Sequence, residues 1–390
     1  MNGRTTHTFR VLLLVIAALA IVTLACSVDT GTGGTTGGSS DSGGTTDGTT
    51  GGTSGGGSGT TTGGSTSGGG STDGSSPTKE PKPTSSGINV DNAADLTEVQ
   101  SIHSADQSIL AGGLSPTVHQ GATFSTDRFV RIFDVDDGRQ LYELPGHADI
   151  GFGLAYSPDG SIIATGGGFQ VIFWDAASGA KLRTSTPNAQ VYRLVFSPDS
   201  QNLAVVGERS SKIDIFDVQS GKRVNLISTE ANNVLWAVQF SPDNEFLAVA
   251  DFQGTVTVYN GPSASDVDWS AQGSGAAWDM EYSPDGSLLT TCNGSGDVYT
   301  WNTSDGTQYS PLTGTDVHVG GCTDSVYSPN GELLFTVGSD FVLNVWDVST
   351  GDLLFTKTYS VGIWTVSVSG DGELIALAMD NGDFRVLGVK

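Results

Sequence analysis

The chain has 390 residues in three compositional zones: a basic and apolar start over 1–26, an almost pure Gly, Ser and Thr tract over 27–86, and an ordinary globular composition over 87–390. The last zone, about 300 residues with Val, Leu, Phe, Trp and Tyr, is long enough to bury a sizeable core. From Asn89 onward 37 acidic side chains face 13 basic ones, a net charge of −24 with no basic block, which argues against nucleic acid and against docking of this zone on an anionic membrane.

Arg4, His7 and Arg10 precede an apolar run from Val11 to Ala25. A transmembrane helix needs about 20 apolar residues, so this shorter run suits a signal peptide better. It ends in Thr23-Leu24-Ala25-Cys26, which resembles the lipobox of bacterial lipoproteins. That resemblance implies a lipid on Cys26, cleavage before it, and a signal peptide over 1–25. Thr23 stands where the lipobox usually has Leu, and an uncleaved signal anchor is the alternative. Either way the rest of the chain is expected outside the cytoplasm. Ser27 follows the cysteine, so the Asp that would suggest inner-membrane retention in a diderm bacterium is not there.

Residues 26–86 read as a tether behind the lipid-bearing cysteine, since Gly, Ser and Thr runs bury no apolar surface. Its r.m.s. span would be about 40–45 Å. Gly52, Ser54 and Gly56 match Gly-x-Ser-x-Gly by chance, because a nucleophile elbow needs a strand, turn and helix around it.

From 87 to 390 the sequence repeats. A turn recurs as Ser157-Pro158-Asp159-Gly160, Ser197-Pro198-Asp199-Ser200, Ser241-Pro242-Asp243-Asn244, Ser283-Pro284-Asp285-Gly286 and Ser328-Pro329-Asn330-Gly331. Weaker copies stand at Ser115-Pro116 and Ser369-Gly370-Asp371-Gly372. Pro sets φ for the second turn position and Asp or Gly suits the next ones. An aromatic residue followed by Asp or Asn comes after six of the seven turns, as in Trp174-Asp175 and Trp346-Asp347, while Leu387-Gly388 holds the seventh place. Between these marks lie short β-type runs, such as Val191 to Phe196, with no competing helical period.

Seven such units in register resemble the WD-repeat family. The resemblance implies an all-β fold: a seven-bladed β-propeller of four-stranded antiparallel blades. The second repeat is the fullest, with Gly146-His147, Ser157 to Gly160 and Trp174-Asp175. Of the family's Asp, His, Ser/Thr and Trp tetrad it keeps only His147, Thr165 and Trp174, and the network is expected to be broken in most blades. Ring closure is readable too. The seventh repeat lacks an outer strand, and Leu96 to Ile102, ahead of a first inner strand over Ser108 to Leu114, can supply it and remove an unpaired edge.

The resemblance also places a rim around the central channel. Five residues before each turn serine stand Leu110, Phe152, Tyr192, Trp236, Trp278, Thr323 and Trp364, followed in three repeats by Arg193, Asp279 and Asp324. In the family this place opens the inner strand on the top face, where partner contacts cluster. Two readings stay open: exposed rings that bind a partner, or rings that fill space between blades. Cys292 and Cys322 fall near the same face of neighbouring blades and leave two readings as well, a disulfide or two small buried thiols.

No catalytic or metal-binding spacing emerges. His147 belongs to the Gly-His of repeat two; His318 precedes an inner strand; His103 and His119 stand isolated near the first repeat. Asp134-x-Asp136-Asp137-Gly138 departs from a calcium loop and reads as a hairpin turn. The expected function is a non-catalytic platform, monomeric and without cofactors, binding an unidentified protein or peptide and touching the membrane only through its lipid. The alternative is an extracytoplasmic hydrolase or metal-dependent enzyme at the central channel, for which Asp279 and Asp324 are the candidate carboxylates.

Overall fold

Each repeat alternates buried and half-buried residues along an inner strand, turns at its Ser-Pro-Asp, and runs through a second, wholly buried strand, as in Leu333–Gly338. Period-2 burial on one strand and continuous burial on the next is the pattern of a small sheet packed on both faces. The computed structural model describes residues 87–229, 234–261, 266–312, 314 and 317–389. The signal peptide, Cys26 and the tether lie outside the described residues.

Seven antiparallel sheets follow one another: 109–144, 153–185, 191–228, 235–272, 277–302, 322–358, and 363–388 joined by 97–103. These are blades one to seven. Thr97–His103 pairs with Asp383–Gly388 from Thr97 opposite Gly388 to His103 opposite Asp383, so the first strand completes the last blade and closes the ring. Arg385 ties this seam further by donating to Glu98 at 2.7 Å.

Blade five departs from the expected four strands. Among the described residues it has three, Ala277–Tyr282, Leu288–Asn293 and Val298–Asn302. Two isolated bridges, Val298 with Gly314 and Trp301 with Gln308, stand in the outer place. The chain there contains Pro311, which has no N–H for a ladder, and a short 3-10 turn over Ser310–Leu312.

The core is distributed between blades. Phe124, Ile132, Ile163 and Trp174 pack blade one on blade two, Val249, Ile213 and Leu235 pack three on four, and Ile102, Ile109, Phe133 and Phe384 pack seven on one. Every blade is therefore held by burial against both neighbours, the solution by which a repeat too small to fold alone hides its apolar faces.

The recurrent turn has a clear chemistry. Ser157 Oγ donates to Asp159 at 2.5 Å and accepts the Ile162 N–H at 3.0 Å. Ser197 with Asp199 and Ser283 with Asp285 do the same. The Ser241 hydroxyl holds the Asp243 carboxyl below the usual carboxylate range. These acids thus cap their own turns. Asp134 likewise accepts from the Asp136 and Asp137 amides, a hairpin turn.

Candidate protein-binding face

In an antiparallel blade the inner strands all start at one end of the ring, together with the turns between second and third strands. We call this end the top. The serine turns occupy the opposite end.

Around the top, the rings predicted from the repeat form a continuous arc over blades two to four. Phe152 and Tyr192 meet edge to face at 6.3 Å, and Tyr192 stacks on Trp236 at 4.5 Å. Phe252, in a turn of blade four and absent from the sequence-based set, extends the arc from Trp236 at 6.2 Å. Phe152, Tyr192, Trp236, Trp278, Thr323 and Trp364 are all partly exposed. Burial, reinforced by Glu208 and opposed by Arg209, raises the Tyr192 hydroxyl to about 12.

The arc is not purely for binding. The Trp278 indole sits between two backbone segments, so that a Cβ at Gly294 or Gly321 would fall within 2.7 Å or 2.6 Å of it. Trp364 donates its indole N–H to Asp380 at 3.3 Å. Trp278 therefore wedges blade five against the segment leading into blade six, and Trp364 is tied within blade seven, as well as edging the rim, whereas Phe152, Tyr192 and Trp236 meet one another's rings.

Three predicted rim residues are corrected. Leu110 is 3% exposed, Asp324 5%, and Asp279 is fully enclosed, so none offers a contact surface. Leu110 serves the core. The two acids brace blades across the channel. Asp279 accepts from the Ser325 N–H and hydroxyl, both at 2.8 Å, joining blade five to six. Asp324 accepts the Val366 N–H at 2.8 Å, joining six to seven. Arg193 reaches from blade three to both, at 2.9 Å for Asp324 and in close contact with Asp279. These carboxylates, offered by the sequence for channel chemistry, are engaged as structural acceptors. Nearby, Glu281 accepts from Gln239 at 2.6 Å. Burial pushes its carboxyl up to about 7, against the opposing pull of Gln239 and Arg193.

The histidines also differ from expectation. His318 is the centre of a complete tetrad in blade six: Nδ1 lies 3.0 Å from Asp340, Nε2 2.9 Å from Thr336 Oγ1, and Trp346 donates to that hydroxyl at 3.0 Å. In blade two, His147 meets Thr165 at 2.7 Å and Trp174 donates to Thr165 at 2.8 Å. There Nδ1 has no partner among the described residues, and burial lowers the imidazole to about 4. The sequence signal for blade six was Asp340, 22 positions after His318. His103 and His119, read as isolated, each bridge two carboxylates. His103 lies 2.9 Å from Asp383 and 3.3 Å from Asp106. His119 lies 2.8 Å from Asp136 and 2.9 Å from Asp371. Glu373 joins His119 and Asp371 in one group.

Cys292 and Cys322 form a disulfide between blades five and six, with Cα atoms 5.0 Å apart and both residues buried.

Seven blades, the repeated Ser-Pro-Asp turn and the His-Thr-Trp networks define a seven-bladed propeller whose repeats are similar to WD repeats. Residues 138–175 and 309–347 match the family model described as WD domain, G-beta repeat. Residues 164–298 match the model described as eukaryotic translation initiation factor eIF2A. Among curated relatives, the target of rapamycin complex subunit wat1 of Schizosaccharomyces pombe is 31% identical over 27% of this chain and 35% of its own length. The WD repeat-containing protein VIP3 of Arabidopsis thaliana is 30% identical over 38% of this chain and 50% of its own. The small ribosomal subunit protein RACK1y of Oryza sativa subsp. japonica is 28% identical over 37% and 44% respectively. The chain thus spans half or less of the length of these relatives.

Proposed function

We propose that this chain is a non-catalytic protein-binding platform, held outside the cytoplasmic membrane by a lipid on Cys26, whose contacts lie on the top face. The observation that carries the reading is the arc of Phe152, Tyr192, Trp236 and Phe252: four rings each in contact with the next, all partly exposed. Rings held by their neighbours offer large apolar area at little entropic cost, the property of interface hot spots. Two relatives carry names that place them in assemblies, a target of rapamycin complex and the small ribosomal subunit, which fits a platform. The lipid anchor is supported by the short apolar run and by Leu24-Ala25-Cys26.

Cross-linking of the intact protein in its native envelope, followed by mass spectrometry, identifies the partner. Phe152→Ala, Tyr192→Ala and Trp236→Ala should each abolish that cross-link while the domain stays folded. Retention of the full cross-link by all three removes the top-face reading. Cys26→Ala should release the protein from the membrane fraction; a variant that stays membrane-bound and full length would make Val11 to Ala25 an anchor helix.

A further inference from the structure

The turn between the second and third strands contains one residue in the left-handed backbone region in every blade. Four blades use glycine there: Gly168, Gly254, Gly296 and Gly382, at φ of 56°, 81°, 94° and 85°. The other three use Arg128, Arg209 and Phe341, at 73°, 54° and 69°. A residue with a Cβ is strained in this region, and Arg and Phe lack the short polar side chain that eases it for Asn. The fold itself shows the contrast: at the other end of the ring the same conformation falls on Ser200 and Asn244.

Burial does not offset the strain. Arg128 is exposed, the Arg209 side chain is 65% exposed and Phe341 is 40% exposed. Local bonding is thin: Arg128 donates to the Ala148 carbonyl at 3.2 Å, and Arg209 approaches its own neighbour Glu208 at 3.5 Å. Three strained, exposed side chains on one face, at positions where glycine would serve the fold better, mark a face selected for contact.

We infer that Arg128, Arg209 and Phe341 contact the partner, and that the partner presents an acidic polypeptide segment with apolar anchors. The inference rests on the binding-platform reading and adds the contact residues and the partner's charge. Arg209 stands beside Tyr192, and Arg128 reaches the loop that leads into Phe152. One guanidinium therefore stands at the blade-one end of the aromatic arc and the other beside its middle, at Tyr192. Arg131, Arg139, Arg193, Arg223 and Arg385 are already paired with carboxylates of this chain, and Arg209 meets its sequence neighbour Glu208 at 3.5 Å. Arg128, bound to a main-chain carbonyl, keeps the planar donor fork that fits an incoming carboxylate. The partly exposed rings of the arc accept apolar side chains. Phe341, packed against Gly362, marks the far margin of the contact.

The test uses full-length protein, a labelled peptide of alternating Glu and Phe, and a matching Lys and Phe peptide, at about 0.15 M salt to screen the net charge. Glycine variants should separate stability from binding. Arg128→Gly, Arg209→Gly and Phe341→Gly should melt at or above the parent, because the strain is relieved. The double variant R128G/R209G should bind the Glu and Phe peptide at least roughly tenfold more weakly, and Phe341→Gly several-fold more weakly. Any binding of the Lys and Phe peptide should not change in these variants. Glu and Phe peptide binding that is absent, or unaffected by the double variant, overturns the inference, as do glycine variants that melt well below the parent. A native cross-link that depends on Trp236 but not on Arg128 and Arg209 leaves the platform reading standing and this inference refuted.

Discussion

At the scale of single residues, the two histidine networks show how one carboxylate changes the use of the same side chain. In blades two and six the indole donates to the threonine hydroxyl, which leaves that hydroxyl to donate to His Nε2 and puts the imidazole proton on Nδ1. Asp340 accepts this proton in blade six, whereas in blade two Nδ1 has no partner among the described residues. Asp340→Ala should therefore leave a buried donor unpaired and destabilise the domain by about 1–3 kcal/mol. His318→Ala should lower the melting temperature more than His147→Ala. Glu281 gives a prediction in pH. Its folded value is raised to about 7 from 4.5, so the folded state holds a proton that the unfolded chain has released between those values. Its contribution to stability then falls as pH rises through that window. Glu281→Gln should raise the melting temperature at pH above 7 and change it little near pH 4, as read by calorimetry across pH.

At the scale of elements, blade five is the least regular part of the ring among the described residues, with bridges at Gly314 and Gln308 in the place of an outer strand. The Cys292–Cys322 disulfide joins this blade to the next across a separation of 30 residues. Closing a loop of that size stabilises by about 3 kcal/mol. Reductant added to the unfolded protein should prevent recovery of the parent melting temperature, and the variant C292A/C322A should melt lower and be insensitive to reductant. The closing seam carries a second sensitivity. His103 and His119 each place both ring nitrogens on carboxylates, an arrangement only the imidazolium satisfies fully, and hydrogen bonds to Asp383 and Asp371 lead the upward shift of their respective titrations. The stability these pairs add is present below about pH 6.5 and is lost as pH rises through their folded values. The His103 side chain is 58% exposed and that of His119 31%, so solvent screening keeps the effect small. The replacement H103Q/H119Q should flatten the pH dependence of hydrogen exchange in 97–103.

At the scale of the whole molecule, the ring depends on the strand that comes first in the chain. Deleting residues 87–104 should expose the edge of Asp383–Gly388 and lower the melting temperature markedly, since Ile88, Ala93, Leu96 and Ile102 also leave the core. Deleting residues 30–80 should leave it nearly unchanged. Equal melting of the two deletions would refute closure by this strand. The ring also separates functions by face. The serine turns, with their capped acids, gather at one end, and the aromatic arc with Arg128 and Arg209 gathers at the other.

The repeat period, the turns, the blade number and the closing strand were all legible from the chain alone. Each depends on residues near one another in sequence: Ser with Asp two positions on, an aromatic residue about eighteen positions after a turn, a run with period 2. The ring positions of Phe152, Tyr192 and Trp236 followed from the same period. What depended on packing between blades was not legible. Asp279 and Asp324 looked like rim carboxylates because the repeat gives a position along a strand but not the amide that a neighbouring blade presents to it. The complete tetrad around His318, the bridging roles of His103 and His119, and the place of Phe252 in the arc likewise join residues whose distance in space is set by the closed ring. The strain at Arg128, Arg209 and Phe341 belongs to the same class, because only the folded backbone shows that these three occupy a conformation their sister blades give to glycine.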